Sequence, residues 1–212
     1  MHNVRDNPFV VVFQEWYEKV ISGNVSHEVI LCIKDLLHID EEEIIHYMTN
    51  ELGNTLTLYT SKLKDEQIQT ITLLIDTPDD EYFIPSIILA SAYASFEIKS
   101  TFSSPHTPLL PKMDNMYHQL AFGKNIFFQF GGCDLDMISD VLFDIISLPD
   151  IAKSGILQQM QTLVIIKILE LMYNSCLLLM KGDRFAQLPK TKPFAFFAHL
   201  NDKDYIRLVT FT

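Results

Sequence analysis

Apolar residues recur at helical spacing from the first turn onward: Phe9, Val12, Phe13, Trp16 and Val20 share one face of a 3.6-residue repeat. Asn7 suits the cap, Pro8 the first helical position and Gly23 the stop, so a helix is expected there. Ser26 then precedes Val29, Ile30, Ile33, Leu36 and Leu37. Asp40 with Glu43 forms a capping box ahead of Ile44, Ile45, Met48 and Leu52, with Gly53 read as its end. Residues 55–76 carry two signals, because Leu56, Leu58 and the threonines favour a strand whereas residues 63–75 suit a helix starting near Ser61. The second part is read as helix. The Ala- and Ile-rich run Ile84 to Phe102 reads as another buried helix, and a short one is expected around Asp114 to Phe122. Ile126 to Phe130 follows, then a Gly131-Gly132 break before a helix Asp136 to Leu148. A long apolar helix runs to about Met180, where Gly182 stops it. Phe194, Phe196 and the run Tyr205 to Phe211, separated by Asn201-Asp-Lys-Asp204, predict a terminal β-hairpin.

The expected architecture is therefore mainly α, a helical bundle or irregular helical array with a small C-terminal β-hairpin. Residues 1–212 are read as one globular domain, with a sub-boundary at 103–111 where Pro105, Pro108 and Pro111 interrupt any helix. Leu163 to Met180 has the length of a membrane span, but Lys167, Glu170 and Asn174 fall inside it. A mid-bilayer charge costs about 2.5 kcal/mol or more, so a buried central helix with Lys167 paired to Glu170 is the expectation, with no membrane partner. Cys32, Cys133 and Cys176 are too scattered for a disulfide framework, and the N-terminal residues lack a signal-peptide pattern. Both features point to the cytoplasm.

Charge changes the picture of partners. Residues 1–106 hold 6 Lys/Arg against 17 Asp/Glu, residues 107–212 hold 10 against 10, and so the whole net charge of -11 belongs to the first half. Such a surface repels nucleic acid and attracts basic proteins. Glu41, Glu42, Asp76, Asp79, Asp80, Glu81, Asp136 and Asp140 are the expected partner-binding residues, steering and pairing with Lys and Arg of a basic protein. In size, acidity and lack of catalytic motifs the chain resembles the small acidic immunity proteins that neutralise bacterial toxins. That likeness implies inhibition of a basic toxin or enzyme by steric and electrostatic occlusion. A permanently bound helical scaffold or adaptor subunit is a related expectation.

Candidate chemistry is sparse, and no cofactor is expected, since phosphate loops, zinc-protease pairs and nucleophile elbows are missing from the sequence. Cys133 follows two glycines and precedes a predicted helix, a setting that favours a thiolate, although Asp134 and Asp136 oppose it. With His199 on a later strand and Asn201 or Asp202 to orient it, the chain order resembles that of papain-like cysteine hydrolases. The likeness implies Cys133 as nucleophile and His199 as base. His38, Glu42 and His46 are spaced by four, a metal-ligand spacing, but the cap at Asp40 sets His38 outside the helix, and no metal site is expected. Asp136, Asp140 and Asp144 form an acidic row along one helix face, suited to solvent or to a basic partner.

Overall fold

The computed structural model describes residues 7–23, 25–63, 66–76, 85, 87–101, 117–147, 155–200 and 205–212. The helices at the two ends of the N-terminal region follow local signals. Helix α1 (Pro8–Ile21) begins where Asn7 Oδ1 accepts the Phe9 N–H at 2.9 Å. Helix α2 (His27–Leu37) is capped by Ser26, and α3 (Glu41–Lys62) by Asp40, whose carboxylate accepts the Glu43 N–H at 3.0 Å. Gly53, expected to end this helix, does not: α3 passes through it and continues for two and a half further turns. Gly53 is small for a packing reason. A Cβ there would lie 2.6 Å from Nη1 of Arg184, which donates to the Asn50 carbonyl and to Asn54 Oδ1 across the same stretch of helix.

The expectation of a mainly α array with a small terminal hairpin is overturned by a seven-stranded mixed sheet that curls into a half-barrel. Its strands are β1 (Ile68–Asp76), β2 (Ile87–Tyr93), β3 (Phe96–Thr101), β4 (Tyr117–Phe122), β5 (Asn125–Asp134), β6 (Lys190–Leu200) and β7 (Tyr205–Phe211), in the order β3-β4-β7-β6-β1-β2-β5. The segments read as helices over 63–75, 84–102 and 114–122 supply β1 to β4. The apolar runs of β1 and β2 fit strands buried on both faces, which show no polar alternation to distinguish them from a buried helix. Gly131 and Gly132, read as a break, lie within β5. The terminal hairpin is present as β6 and β7, but in the middle of the sheet: β6 pairs parallel with β1, and β7 pairs antiparallel with β6 and β4. The proline-rich interval 103–111 and the turn 201–204 lie outside the described residues.

Strands β2 and β3 form one bent strand, joined through Ala94 and Ser95, and β4 and β5 form its antiparallel partner, joined through Gly123 and Lys124. At the bend the Ala94 N–H donates to the Lys124 carbonyl at 3.0 Å and the Gly123 N–H to the Ser95 carbonyl at 2.9 Å. The near limb (β2 and β5) stays on β1, whereas the far limb (β3 and β4) swings round to β7. Three strands separate β3 from β1 in the pairing order, yet the Phe96 N–H donates to Gln69 Oε1 at 3.1 Å and Tyr93 stacks on Phe122 at 4.3 Å. The sheet thus closes on itself at this corner.

One face of the sheet carries Ile71, Leu73, Ile75, Ile88, Ala90, Ala92, Phe194, Phe196 and Ile206, and these join the main core beneath the helices. At its centre is α5 (Ile156–Leu179), flanked by α1, α3 and α4 (Asp136–Ile146), with the short α6 (Asp183–Ala186) against α3. Long and apolar enough to cross a membrane, α5 is instead mostly enclosed by protein. Lys167 and Glu170 pair at 3.1 Å, as their spacing predicts. Lys167 also pairs with Glu41 and lies 5.0 Å over the Phe13 ring. Asn7 ties the start of α1 into this cluster by donating to the Glu170 carbonyl and to Asn174 Oδ1, each at 3.2 Å.

Candidate functional site

The other, inner face of the curled sheet has a different composition. Side chains alternate across each strand, so residues in register with Thr70, Thr72 and Leu74 of β1 share that face. They are Tyr93, Ser91 and Leu89 on β2, and Ala195, Phe197 and His199 on β6. His199 is in register with Tyr205 on β7, and Tyr205 with His118 on β4, giving a cross-strand row His118, Tyr205, His199 and Leu74. Buried Leu89, Ala195 and Phe197 do not belong to the main core, which shows that the inner face is a separate small interior. Aromatic rings fill it. Phe197 meets Phe96 edge-on at 5.2 Å and His118 at 6.1 Å, while Tyr205 lies 4.9 Å from Phe122 and 4.7 Å from His199.

His118 is only 2% exposed. Burial pushes its imidazole below the ordinary histidine range, and the nearby Arg207 guanidinium adds to the effect. Burial likewise pushes the Tyr205 phenol up, with Tyr93 as a lesser cause. Both groups are held in their neutral forms around neutral pH, so His118 and Tyr205 present uncharged polar groups beside aromatic rings. The sequence signal for this row is the alternation in β4, where His118, Leu120 and Phe122 take one side and Tyr117 and Gln119 the other. A helical reading of 114–122 hid it.

Cys133 and His199 are not brought together. Cys133 lies inside β5, with Leu135 between that strand and α4, so it does not occupy the loop at a helix start that the sequence suggested. It is in register with Ile88, and through it with Ile75, both buried on the helix-covered face. His199 is in register with Leu74 on the inner face. Strands β2 and β1 lie between β5 and β6, a separation of three strand spacings, about 14 Å along a flat sheet and far beyond hydrogen-bond reach. Asn201 and Asp202 lie outside the described residues.

The expected acidic set divides. Glu41 pairs inward with Lys167. Glu42 is exposed beside His46 at 3.9 Å, and His38 turns back on its own helix, with Nδ1 2.6 Å from the Lys34 carbonyl, so no shared ligand face forms. Among the described residues no group of three metal-binding side chains occurs. Asp76 is half-buried at the end of β1, whereas Asp136, Asp140 and Asp144 are exposed on α4. Asp79, Asp80 and Glu81 lie outside the described residues. Asp144 and Asp35 both face Cys32, whose thiol is pushed up by burial first and by these carboxylates second. Helix α4 thus keeps its acidic row on the outside while α2 packs beside it. The chain matches no family model, and neither a curated protein nor a solved structure is significantly similar to it.

Proposed function

We propose that the protein acts by binding a basic protein partner through the carboxylates that project from the first turn of α3 and from α4. The observation that carries this reading is the local excess of exposed carboxylates on the first turn of α3 and on α4, neither of which holds a Lys or Arg. Lys167 is consumed by Glu41 and Glu170, Lys124 by Glu66 and Lys99 by Glu97. Lys190 donates to the Phe185 carbonyl, Lys192 to the Thr212 carbonyl, and Arg184 to Asn50 and Asn54. Glu42, Glu43, Asp136, Asp140 and Asp144 meanwhile stand exposed. Lys34, Lys62, Lys181 and Arg207 are exposed elsewhere on the surface, and a local excess of carboxylates of this kind steers Lys- and Arg-rich proteins and speeds their association. Occlusion of such a partner, as by an immunity-type inhibitor, needs no catalytic group of this chain.

The test is to retain partners from native cells on the tagged protein at low salt, identify them, and measure association with the purified partner across ionic strength. The variant Glu42→Lys with Asp140→Lys is compared with the parent. The expected result is an association rate that falls steeply with salt and drops at least about tenfold in the double reversal. A rate independent of salt and unchanged by the reversal would refute the reading.

A further inference from the structure

Helix α4 turns a mixed stripe to solvent. Asp136, Asp140 and Phe143 follow one another at steps of four and three residues, and Asp144 borders them; all four are exposed, Phe143 at 53%. Ile138, on the opposite side of the helix, is buried in the main core. Phenylalanine is among the residue types most often enclosed, yet this ring stands at the surface with one carboxylate a turn before it and another beside it. The three aspartates repel one another at their four-residue spacing, on a helix with no Lys or Arg of its own, and a bound cation relieves that repulsion. The chain already sets cations on rings at its surface: the Lys19 ammonium lies 4.1 Å over Trp16 and that of Lys192 4.6 Å over Phe211.

We propose that this stripe is a docking site for an arginine side chain of a basic protein, whose guanidinium lies on the Phe143 ring and donates to the Asp140 and Asp144 carboxylates. The inference rests on the reading of α4 as a surface for a basic partner and names the residue type that the surface takes. A guanidinium is planar and weakly hydrated, so one face can cover an aromatic ring while the N–H groups at its edge remain free to donate to carboxylates in pairs. The ammonium of lysine is a compact, strongly hydrated charge and gains less from the ring. An aromatic side chain between carboxylates therefore distinguishes two residues that a purely acidic surface treats alike.

Charge selects this occupant over the alternatives. A second copy of the chain meeting the stripe across a twofold axis sets Asp136, Asp140 and Asp144 against themselves. The phosphates of nucleic acid or of an anionic lipid surface face the same three carboxylates. An aliphatic segment covers the ring but strips water from the aspartates without replacing its hydrogen bonds.

Titration of the nitrogen-15-labelled protein with tetra-arginine and tetra-lysine peptides, both acetylated and amidated, at low ionic strength tests the site. The expected result is that amides of residues 140–144 shift with both peptides and that tetra-arginine binds about fivefold more tightly. Phe143→Ala should bring the two peptides level while leaving the tetra-lysine affinity in place. Phe143→Tyr should retain the preference, and Asp140→Asn should weaken both peptides. Val11→Ala, at an exposed side chain of α1, should change neither. The proposal is overturned, with the basic-partner reading intact, if the parent protein binds both peptides equally or if the arginine preference survives in Phe143→Ala. If neither peptide shifts the α4 amides, the proposal and the assignment of α4 to the partner surface fall together.

Discussion

Phe196 and Phe197 are neighbours on β6 and both are buried, yet they belong to different interiors. Phe196 points into the helix-covered core, with Phe194 at 5.2 Å and Phe185 at 6.0 Å, while Phe197 points into the half-barrel against Phe96 and His118. The core side is continuous through α1, α3, α5 and five strands, so a loss there is felt by the whole molecule. The inner side is bounded by the far limb, β3 and β4, whose described backbone pairing to the rest of the sheet is the Tyr117–Ile206 and His118–Tyr205 pairs, so a loss there is felt by fewer elements. Burial alone therefore does not rank the two residues; what matters is the number of elements that must separate to expose each. Phe196→Ala should cost about 4 kcal/mol of global stability, since the surrounding strands and helices have little freedom to refill the space. Phe197→Ala should cost clearly less in global unfolding and should raise exchange in β3 and β4. Equal urea midpoints for the two variants, with no local change in exchange, would remove the distinction.

The faces also differ in how buried polarity is handled. Under the helices, Lys167 is shared between Glu41 and Glu170, and burial pushes the Glu170 carboxyl above its ordinary range despite the opposing Lys167 charge. In the half-barrel the buried polar groups are neutral: Thr70, Thr72, Ser91 and His118. Lys167→Ala should cost about 3 kcal/mol, because it leaves Glu170 enclosed without its cation. Glu170→Gln should cost less, since Lys167 keeps Glu41. Chemical denaturation at neutral pH checks the order, and a Glu170 variant as damaged as the Lys167 variant would show that Glu41 does not hold the ammonium by itself.

Which parts of this were legible in the sequence follows from the range of the interactions involved. The caps at Asn7, Ser26 and Asp40 each act within three residues, and all three appear as read. The pairing of Lys167 with Glu170 is equally local. Gly53 misled because its neighbour Arg184 is remote in sequence, and a glycine kept small for packing reads like one that ends a helix. Residues 87–93 misled because β2 is buried on both faces, so Ile, Leu and Ala follow one another without alternation. On the helix-covered side the Tyr59 hydroxyl of α3 donates to the Ala90 carbonyl at 3.0 Å. The row of His118, Tyr205 and His199 depends on the closure of a hairpin onto β7, which no local pattern records. Cys133 and His199 had the chain order of a catalytic pair, but order along the chain says nothing about which strands separate two residues in a sheet.

The bend at which the far limb leaves the near limb rests on a contact small enough to probe with one methyl group. A Cβ on Gly123 would run into the Ser95 hydroxyl, while Ser95 Cβ and N lie at the ordinary distances of 3.4 and 3.5 Å. The obstacle is thus one side-chain oxygen that can turn away, at the expense of its present rotamer and of some register at the corner. Gly123→Ala should therefore cost only about 1 kcal/mol. Because the strain is confined to the hinge, exchange in β3 and β4 should rise more than in β1. Ser95→Ala in the same chain should restore both quantities, since it removes the atom in conflict and leaves the Gly123 N–H to Ser95 carbonyl bond in place. If the double variant stays as unstable as Gly123→Ala, the glycine is required for its backbone freedom rather than for the space beside Ser95. The bend would then be a property of residues 122–124 alone and not of the two strands meeting there.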